Sequence, residues 1–287
     1  MKLVWLVALA ACACGKSHEP RVLDKQAAKG VFEEVPIDAP PGMSDLTIDN
    51  RGVMWSIAER NPEVIEIELG KQPIRHPVDG VPKGTDTEAL AWLDDSHFAI
   101  GTEGASEATA SIMFADKTDD HLVVTRTRPL TSAELGVELT INHGIEALCG
   151  NGDELLAASE SVGKLPDGTR YSALARLRGD TVTVTKLRLT TAKGKISALY
   201  CAWGPDGSAD VIAIERHYSV SRILQFTVKR GDAEVTPTVM LDLAPILHDS
   251  LNLEGIVRLP DGRLVAISDN QGSAVVGPTE LLVFTKH

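Results

Sequence analysis

The chain has few aromatic residues and few positive charges for its length. Phe, Trp and Tyr supply 4% of its 287 residues, and 28 Lys and Arg are outnumbered by 40 Asp and Glu, which gives a formal charge of −12. Clustered basic side chains are needed to neutralise phosphates, so this composition excludes a broad nucleic-acid footprint. With so few aromatic rings, the core must consist mainly of Leu, Val, Ile and Ala.

The sequence also lacks the short motifs of several enzyme classes. It contains no GxSxG elbow, no HExxH, no GxxxxGK[ST] loop and no CxxC pair. These absences disfavour nucleophilic serine chemistry and nucleotide binding. The remaining candidates for chemistry are therefore acidic side chains, together with a few His, Asn and Arg residues beside them.

Cysteine is scarce, and only Cys149 and Cys201 lie within the part of the chain that we expect to fold. An oxidising compartment would permit a disulfide between them. Both residues end apolar stretches, EALC and ALYC, where a buried thiol behaves as a small hydrophobic group. The sequence therefore favours two free thiols over a disulfide, with the disulfide as the alternative.

The N-terminal segment has the pattern of a bacterial lipoprotein signal. Lys2 precedes an apolar run from Leu3 to Ala11 that is too short to span a bilayer as a helix. The letters LAAC around Cys12 resemble a lipobox, in which the cysteine sulfur receives a diacylglycerol. We expect residues 1–11 to be a signal peptide and residues 12–29 to be a flexible, lipidated tether; a plain secretory signal is the alternative.

The predicted lipid anchor indicates where the protein resides. Several buried acyl methylenes, each contributing about 0.8 kcal/mol, hold a protein on a membrane without a spanning helix. Ala13 follows the anchor, whereas an aspartate there would resemble an inner-membrane retention signal. We therefore expect an extracytoplasmic protein that is attached through Cys12 to the outer membrane and faces the periplasm.

The rest of the chain repeats one pattern about every fifty residues. Each copy has a leading residue, an apolar strand, a turn of Asn, Asp or Gly, and a second apolar strand that ends in an acid. The leading residues are Asp45, Glu88, Glu146, Ser197 and Glu254, which lie 43, 58, 51 and 57 residues apart. The closing acids are Glu59, Glu103, Glu160, Glu215 and Asp269. This spacing is typical of the four-stranded blades of a β-propeller.

The termini favour a closed ring. After the fifth repeat the chain offers only one more strand-like run, TELLVFT, while residues 30–37 form a strand-like run with no partner in their own repeat. Pairing the two termini would remove exposed sheet edges. The sequence thus predicts an all-β fold, with residues 30–287 as a single β-propeller closed by an N-terminal strand; five blades are favoured and six are possible.

The repeated acids predict a metal site. First strands line the central channel of a propeller, so the leading and closing acids should gather near it, where like charges raise each other's pKa. A cation would relieve this repulsion, and oxygen ligands without a Cys or His cluster suit Ca²⁺ best. The candidate ligands are Glu88, Glu103, Glu146, Glu160, Glu215, Glu254 and Asp269. The alternative is that each acid accepts backbone N–H groups from a neighbouring blade.

Two pairs of residues beside these acids could contact a substrate. Asn142 and His143 precede Glu146, and Arg216 and His217 follow Glu215. Glu146 and His143 are the candidate catalytic residues, since Asn and His beside a metal can orient water or transfer a proton. Asn142, Arg216 and His217 are candidates for substrate binding. Strand alternation supplies the alternative that these neighbours point away from the channel as solvated residues.

Three stretches, LEGIVRLPDGRLVAISDNQ, NHGIEALCGNGDELLAASES and VIAIERHYS, resemble the motifs of phytase-like propellers, the group labelled as having esterase-like activity of phytase. The starts EAL, EAL and EGI are also similar to propellers named for regulation by a quorum-sensing receptor. The resemblance covers roughly residues 43–284 and implies a ring-shaped fold, a tendency to bind calcium and a hydrolase activity. Ser197 departs from the acidic pattern and would interrupt a full ring of ligands.

Two functions are consistent with these features. The first is a calcium-dependent hydrolase of an ester or phosphoester. The second is a non-catalytic propeller that binds a small ligand or envelope component and has calcium as a structural ion. Because one fold hosts both kinds of function, the fold alone does not choose between them. In either case we expect a monomer that binds no nucleic acid.

Overall fold

The computed structural model describes residues 29–59, 61–104, 106–217, 220–246, 252–269 and 279–285. The predicted signal peptide, Cys12 and nearly all of the predicted tether lie outside these residues. Within the described ranges, no helix is long and apolar enough to cross a membrane.

The described residues form strands almost throughout, as predicted from their Val, Ile, Thr and Leu content. The strands are β1 Phe32–Ile37, β2 Met43–Ile48, β3 Met54–Ala58, β4 Glu63–Ile67, β5 Ile74–Asp79, β6 Thr85–Asp94, β7 His97–Gly104, β8 Ala110–Lys117, β9 Leu122–Leu130, β10 Ile145–Asn151, β11 Glu154–Lys164, β12 Arg170–Arg178, β13 Thr181–Arg188, β14 Lys195–Trp203, β15 Ala209–His217, β16 Val220–Val228, β17 Glu234–Val235, β18 Thr238–Asp242, β19 Asn252–Arg258, β20 Leu264–Asp269 and β21 Thr279–Phe284. One short helix, α1 (Ser132–Leu135), follows β9 and begins at a capping box in which Thr131 and Glu134 bond to each other's backbone N–H groups.

The strands pair into groups of four that correspond to the sequence repeats. We call these groups units: unit 1 is β2–β5, unit 2 is β6–β9, unit 3 is β10–β13, unit 4 is β14–β16 with β18, and unit 5 is β19–β21 with β1. Units 1 and 2 form one eight-stranded sheet through a short parallel pairing of β5 with β9. Units 3, 4 and 5 belong to separate sheets, and β17 adds a fifth strand to unit 3.

The two termini meet in unit 5. Strand β1 pairs antiparallel with β21, so that Phe32 lies opposite Phe284 and Ile37 lies opposite Thr279. The rings of Phe32 and Phe284 pack edge to face with centroids 5.6 Å apart. The predicted closure by an N-terminal strand is therefore present, and it gives β21 a partner on its outer side.

The first strand of each unit contacts the first strand of the next. Strand β2 contacts β6, β6 contacts β10, β10 contacts β14, β14 contacts β19, and β19 returns to contact β2. The first strands therefore surround a common axis, which confirms the predicted all-β, propeller-like ring. Because hydrogen bonding groups the strands into four sheets, one of them eight-stranded, the predicted count of five blades stays a prediction.

The core lies between neighbouring units and is aliphatic, as the composition predicted. Ala91 of unit 2 packs with Leu148 and Leu155 of unit 3, and all three are fully or almost fully buried. Burying each leucine side chain contributes about 2 kcal/mol. Aromatic rings contribute at single places in the core, as where Trp55 of unit 1 and Phe98 of unit 2 pack edge to face with centroids 5.3 Å apart.

The expectation of two free thiols at Cys149 and Cys201 is wrong. The structure joins them as a disulfide between β10 and β14, with Cα atoms 5.7 Å apart. The apolar neighbours that suggested isolated thiols are the side chains of two first strands that pack against each other. Sequence separation concealed this proximity, because the two positions are 52 residues apart.

Candidate functional site

Each leading residue of the repeat lies at a β-bulge in its first strand. The register shifts between Ser44 and Thr47, Thr87 and Ala89, Ile145 and Ala147, Ile196 and Ala198, and Leu253 and Gly255. A bulge leaves one residue without an opposite partner and redirects its side chain. The repeat therefore places Asp45, Glu88, Glu146, Ser197 and Glu254 at equivalent positions near the start of the channel-lining strands.

Three buried carboxylates from units 2 and 3 form one cluster. Glu103, Glu146 and Glu160 each offer an oxygen atom within 4.8 Å of the other two. Asp86, Glu88 and Glu103 form a second group with the same spacing. Glu103 belongs to both groups, so five carboxylates are continuous along this end of the channel and could hold a cation.

Burial and mutual repulsion disfavour ionisation in this cluster. Burial, followed by repulsion from Glu146, raises the pKa of Glu103 to about 7, and the backbone N–H of Gly144, 3.1 Å from Glu103 Oε2, only partly opposes this. Burial also raises the pKa of Glu88 well above its usual range, and Glu146, Glu59 and Glu103 add to this effect. Raised pKa values at two neighbouring carboxyl groups indicate a site that lacks positive charge.

Lysine and arginine side chains supply part of that charge. Lys195 Nζ contacts Glu160 and lies 3.8 Å from Glu146 Oε1. On the opposite side, Arg216 binds both carboxylate oxygens of Glu254, with Nε 3.1 Å from Oε2. Unit 4 therefore presents one cation toward the cluster of units 2 and 3 and another toward unit 5.

Glu254 and Asp269 share a polar partner in unit 5. Asn252 Nδ2 donates to Glu254 Oε1 at 2.7 Å and to Asp269 Oδ2 at 3.1 Å. Burial raises the pKa of Glu254 to about 7, although Arg216 lowers it. These two predicted ligands thus lie together, on the unit 5 side of the channel.

Glu215 differs from the other closing acids because the protein satisfies its carboxylate. Thr190 donates its N–H at 2.9 Å and its hydroxyl at 2.5 Å to Oε2, while Thr191 donates its N–H at 3.0 Å and its hydroxyl at 2.6 Å to Oε1. Glu215 is fully buried. Gly194 permits this packing, since a Cβ atom at that position would overlap the Glu215 carboxylate. Glu215 therefore fits the alternative, structural role rather than that of a ligand.

Two leading residues also have structural partners. The buried carboxylate of Asp45 accepts backbone N–H groups from Leu46 at 2.8 Å and from Leu90 and Leu148 at 3.0 Å, which ties units 1, 2 and 3 together. Burial nevertheless raises the pKa of Asp45, and the three N–H groups oppose the rise. Ser197 donates its hydroxyl to the Leu253 carbonyl at 2.8 Å and thereby links units 4 and 5.

The predicted substrate-contacting residues have different locations. Asn142 and His143 are exposed in the loop before β10, where His143 Nδ1 lies 2.9 Å from the Ile141 carbonyl oxygen. Arg216 and His217 are half-buried at the end of β15. Burial lowers the pKa of His217, and Lys193, Lys195 and Arg170 lower it further. Burial and these neighbouring cations therefore favour the neutral form of His217.

Sequence reasoning missed Asp86, Lys195 and Asn252. Each lies two residues before a leading residue, namely Glu88, Ser197 and Glu254. Strand side chains two positions apart share a face, so a search at this offset would have found all three. Lys193 and Arg170 carry no such signal, because only the packing of units 3 and 4 brings them close to His217.

The solved structures that resemble this chain are propeller-like proteins of low sequence identity. The PQQ-bound aldose sugar dehydrogenase of Streptomyces coelicolor has a TM-score of 0.55 and 12% identity, and the match covers 89% of this chain and 98% of that one. The exo-β-1,3-galactanase of Phanerochaete chrysosporium has a TM-score of 0.54 and 10% identity, covering 88% and 64% of the two chains. At such identities the likeness concerns the fold alone.

No curated protein sequence matches the chain. The sequence model of one family does match, and it covers residues 41–272, which include units 1 to 4, strands β19 and β20 of unit 5, and both acidic groups. The same region contains the stretches that carried the resemblance noted from the sequence. The chain belongs to the phytase-like family, described as esterase-like activity of phytase.

Proposed function

We propose that this protein is a calcium-dependent phosphoester hydrolase whose site lies where the first strands begin. The observation that carries the proposal is the contact between a carboxylate cluster and a basic group. Glu103, Glu146 and Glu160 lie within reach of one cation, and Lys195 adjoins them. Phosphoryl transfer needs both a metal ion and side chains that neutralise the phosphate.

The donor atoms of the cluster fit Ca²⁺. They are carboxylate oxygens from separate strands, with no Cys or His among them, and calcium accepts irregular shells of six to eight oxygen ligands. Glu88, Glu103, Glu146 and Glu160 would hold the ion, with Asp86 at the edge. When bound, the cation would act as a Lewis acid on the phosphoester.

The basic side chains would bind the substrate. A cation held by Glu146 and Glu160 would replace Lys195 as their partner and leave the Lys195 ammonium group to contact a phosphate oxygen. Arg216, with its fork of N–H donors, suits the same anion. Asn142 at the rim could donate to a further oxygen of the ligand.

Proton transfer requires a group that titrates near neutral pH. The lowered pKa of His217 favours its neutral imidazole, which can accept a proton. His143 remains the candidate suggested by the sequence. Glu146 would act as a ligand that positions the reacting group rather than as the base.

Turnover of p-nitrophenyl phosphate and p-nitrophenyl acetate, each with calcium and with EDTA, tests the proposal. We expect calcium-dependent hydrolysis of the phosphate that falls at least about 100-fold in Glu146→Gln, since several kcal/mol of transition-state stabilisation depend on the metal. Glu33→Gln, on the exposed face of β1, is the matched control and should retain full activity. Turnover that EDTA leaves unchanged would refute a metal-dependent mechanism.

A second function has its own supporting observation. Lys195 and Arg216 already neutralise Glu160 and Glu254, so the channel can be stable as a binding scaffold in which calcium is structural. A calcium-dependent rise in melting temperature without turnover of either ester would favour this non-catalytic propeller, which would bind a small ligand or an envelope component.

We further propose that lipid on Cys12 anchors the protein to the outer membrane, facing the periplasm. The LAAC sequence supports this proposal. Metabolic labelling with a palmitate analogue should label the wild-type protein and leave Cys12→Ala unlabelled. Sedimentation of the delipidated protein should show a monomer.

A further inference from the structure

A second pocket lies at the opposite end of the channel from the acidic cluster. It has a volume of about 300 Å³ and is lined by the C-terminal parts of β6, β10 and β14 and by residues 46–50 at and beyond the end of β2. Along β10, three to five residues separate Glu146 from the lining residues Cys149 to Asn151, or about 10 to 17 Å at the usual rise per residue. This pocket is therefore distinct from the site of the proposed hydrolysis.

Three aromatic side chains line the second pocket in a protein that has few of them. They are Trp92, Tyr200 and Trp203, each half-buried. The Trp203 indole Nε1 is buried and has no hydrogen-bond partner among the described residues. The guanidinium group of Arg176 lies 5.3 Å from the centroid of the Trp203 ring. A buried indole N–H ordinarily finds an acceptor, so a ligand that reached this donor, which is closed to solvent in the structure, would satisfy it.

The polar groups of the second pocket are neutral except for Asp49. Asn50 and Asn151 expose their carboxamides, and no Lys, Arg or His belongs to the described lining. Its one carboxylate, Asp49, is already occupied: it accepts the Arg51 guanidinium at 2.7 Å, the Val53 N–H at 2.9 Å and the Trp55 indole N–H at 3.3 Å. A charged ligand would therefore find no unpaired opposite charge.

The walls of the pocket are held in place. The disulfide between Cys149 and Cys201 joins β10 to β14 within the lining, and the Thr47 hydroxyl accepts the backbone N–H of Trp92 at 3.1 Å to join β2 to β6. Little conformational entropy is then lost when a ligand binds, because the aromatic and amide groups lie on strands that are already linked.

We propose that this second pocket binds a neutral saccharide. Aromatic faces suit the apolar C–H faces of a sugar ring, while carboxamides and an indole N–H suit its hydroxyl groups. A volume of about 300 Å³ lies at the lower end of the range for small-molecule sites, which accommodates one or two sugar residues. The proposal is independent of the proposed hydrolysis, since it concerns other residues at the other end of the channel.

Isothermal titration of the purified protein with cellobiose, maltose and N,N′-diacetylchitobiose tests the proposal. We expect saturable binding of at least one of them. Trp92→Ala should weaken that binding by at least about tenfold through the lost stacking surface. Trp203→Phe, which keeps a ring and removes the N–H, should weaken it by about fivefold. Glucose 6-phosphate should bind no more tightly than glucose.

The matched control is Phe114→Ala. Phe114 lies on β8, outside the pocket lining, and its ring packs under the guanidinium group of Arg126. Its truncation should leave the affinity for the saccharide within twofold of the wild-type value. Thermal melting of each variant shows that it is folded. The proposal is overturned if none of the three disaccharides binds saturably, if both tryptophan variants bind within twofold of the wild type, or if the phosphorylated sugar binds more tightly than glucose.

Discussion

Glu215 and Glu103 both close a repeat, near the end of the second strand of units 4 and 2, yet their registers and environments differ. Glu215 lies opposite Ile196, one residue before the bulged Ser197, whereas Glu103 lies opposite Asp86, two residues before the bulged Glu88. Thr190 and Thr191 surround Glu215 with N–H and hydroxyl donors, whereas Glu103 accepts the N–H of Gly144 and faces the carboxylates of Glu146 and Glu160. The comparison teaches that one sequence pattern serves two purposes. The loop between β13 and β14 gives Glu215 four donors and satisfies its carboxylate. Glu103 receives one N–H from the loop before β10 and remains available to a cation.

The largest effect should come from removing the satisfied acid. Glu215→Ala leaves the buried N–H groups of Thr190 and Thr191 without an acceptor, so we expect the free energy of unfolding to fall by about 3 to 4 kcal/mol. Urea unfolding in EDTA measures this loss of stability. Glu33→Ala on the exposed face of β1 is the control and should change stability by less than about 0.5 kcal/mol. A loss below about 1 kcal/mol would show that Glu215 is not a structural tie.

Calcium should stabilise the folded protein through Glu103 and the carboxylates beside it. An ion that binds only the folded protein at 100 times its Kd adds about 2.7 kcal/mol, which raises the melting temperature of a domain of this size by roughly 5 to 10 °C. Differential scanning calorimetry with calcium and with EDTA measures the shift. We expect the shift to disappear in the Glu103→Gln, Glu146→Gln double variant. Equal shifts in melting temperature with magnesium, potassium and calcium would contradict a specific calcium site at Glu103.

The pH dependence of stability follows from the raised pKa of Glu103. Its pKa is about 7 in the folded protein against 4.5 for an unperturbed glutamate, so between these values the folded state binds more protons than the unfolded state. The free energy of unfolding must then fall as pH rises through this window, by roughly 2 kcal/mol for the metal-free protein. Glu254, whose pKa is also raised to about 7, acts in the same direction.

Urea unfolding in EDTA between about pH 5 and pH 8 measures this slope. The lowered pKa of His217 acts in the opposite direction below 6.5, so the slope of the wild type is compared with that of His217→Gln. Saturating calcium should flatten the curve, because the ion favours the ionised carboxylates. Stability that rises steadily over this range would contradict a strained acidic cluster.

The smallest effect should come from neutralising the unsatisfied acid. Glu103→Gln keeps the shape and an acceptor for the Gly144 N–H but removes one charge from the cluster. We therefore expect it to stabilise the metal-free protein at about pH 8 by roughly 1 kcal/mol, the opposite sign to the loss expected for Glu215→Ala. The same variant should lower calcium affinity. Chemical unfolding in EDTA measures the stability of the metal-free variant, and titration with calcium measures its calcium affinity.

Much of the fold was predictable from local pattern. Alternating aliphatic residues, turns of Asn, Asp and Gly, and the repeat spacing were sufficient for an all-β propeller closed through residues 30–37. The site was predictable only in outline. Glu88, Glu103, Glu146 and Glu160 do approach one another, and Glu254 and Asp269 share Asn252, while Glu215 is removed from the set by the loop at Thr190 and Thr191.

The sequence by itself determined where the strands lie and which termini pair, because these depend on a period of two and on the turn residues between strands. Only the tertiary structure decided which acids are satisfied, that Cys149 bonds to Cys201, and that Asp45 binds Leu148 across 103 residues of chain. The physical reason is that hydrogen bonds, desolvation and charge repulsion act through space, and the closing of the ring brings together residues that no local pattern relates.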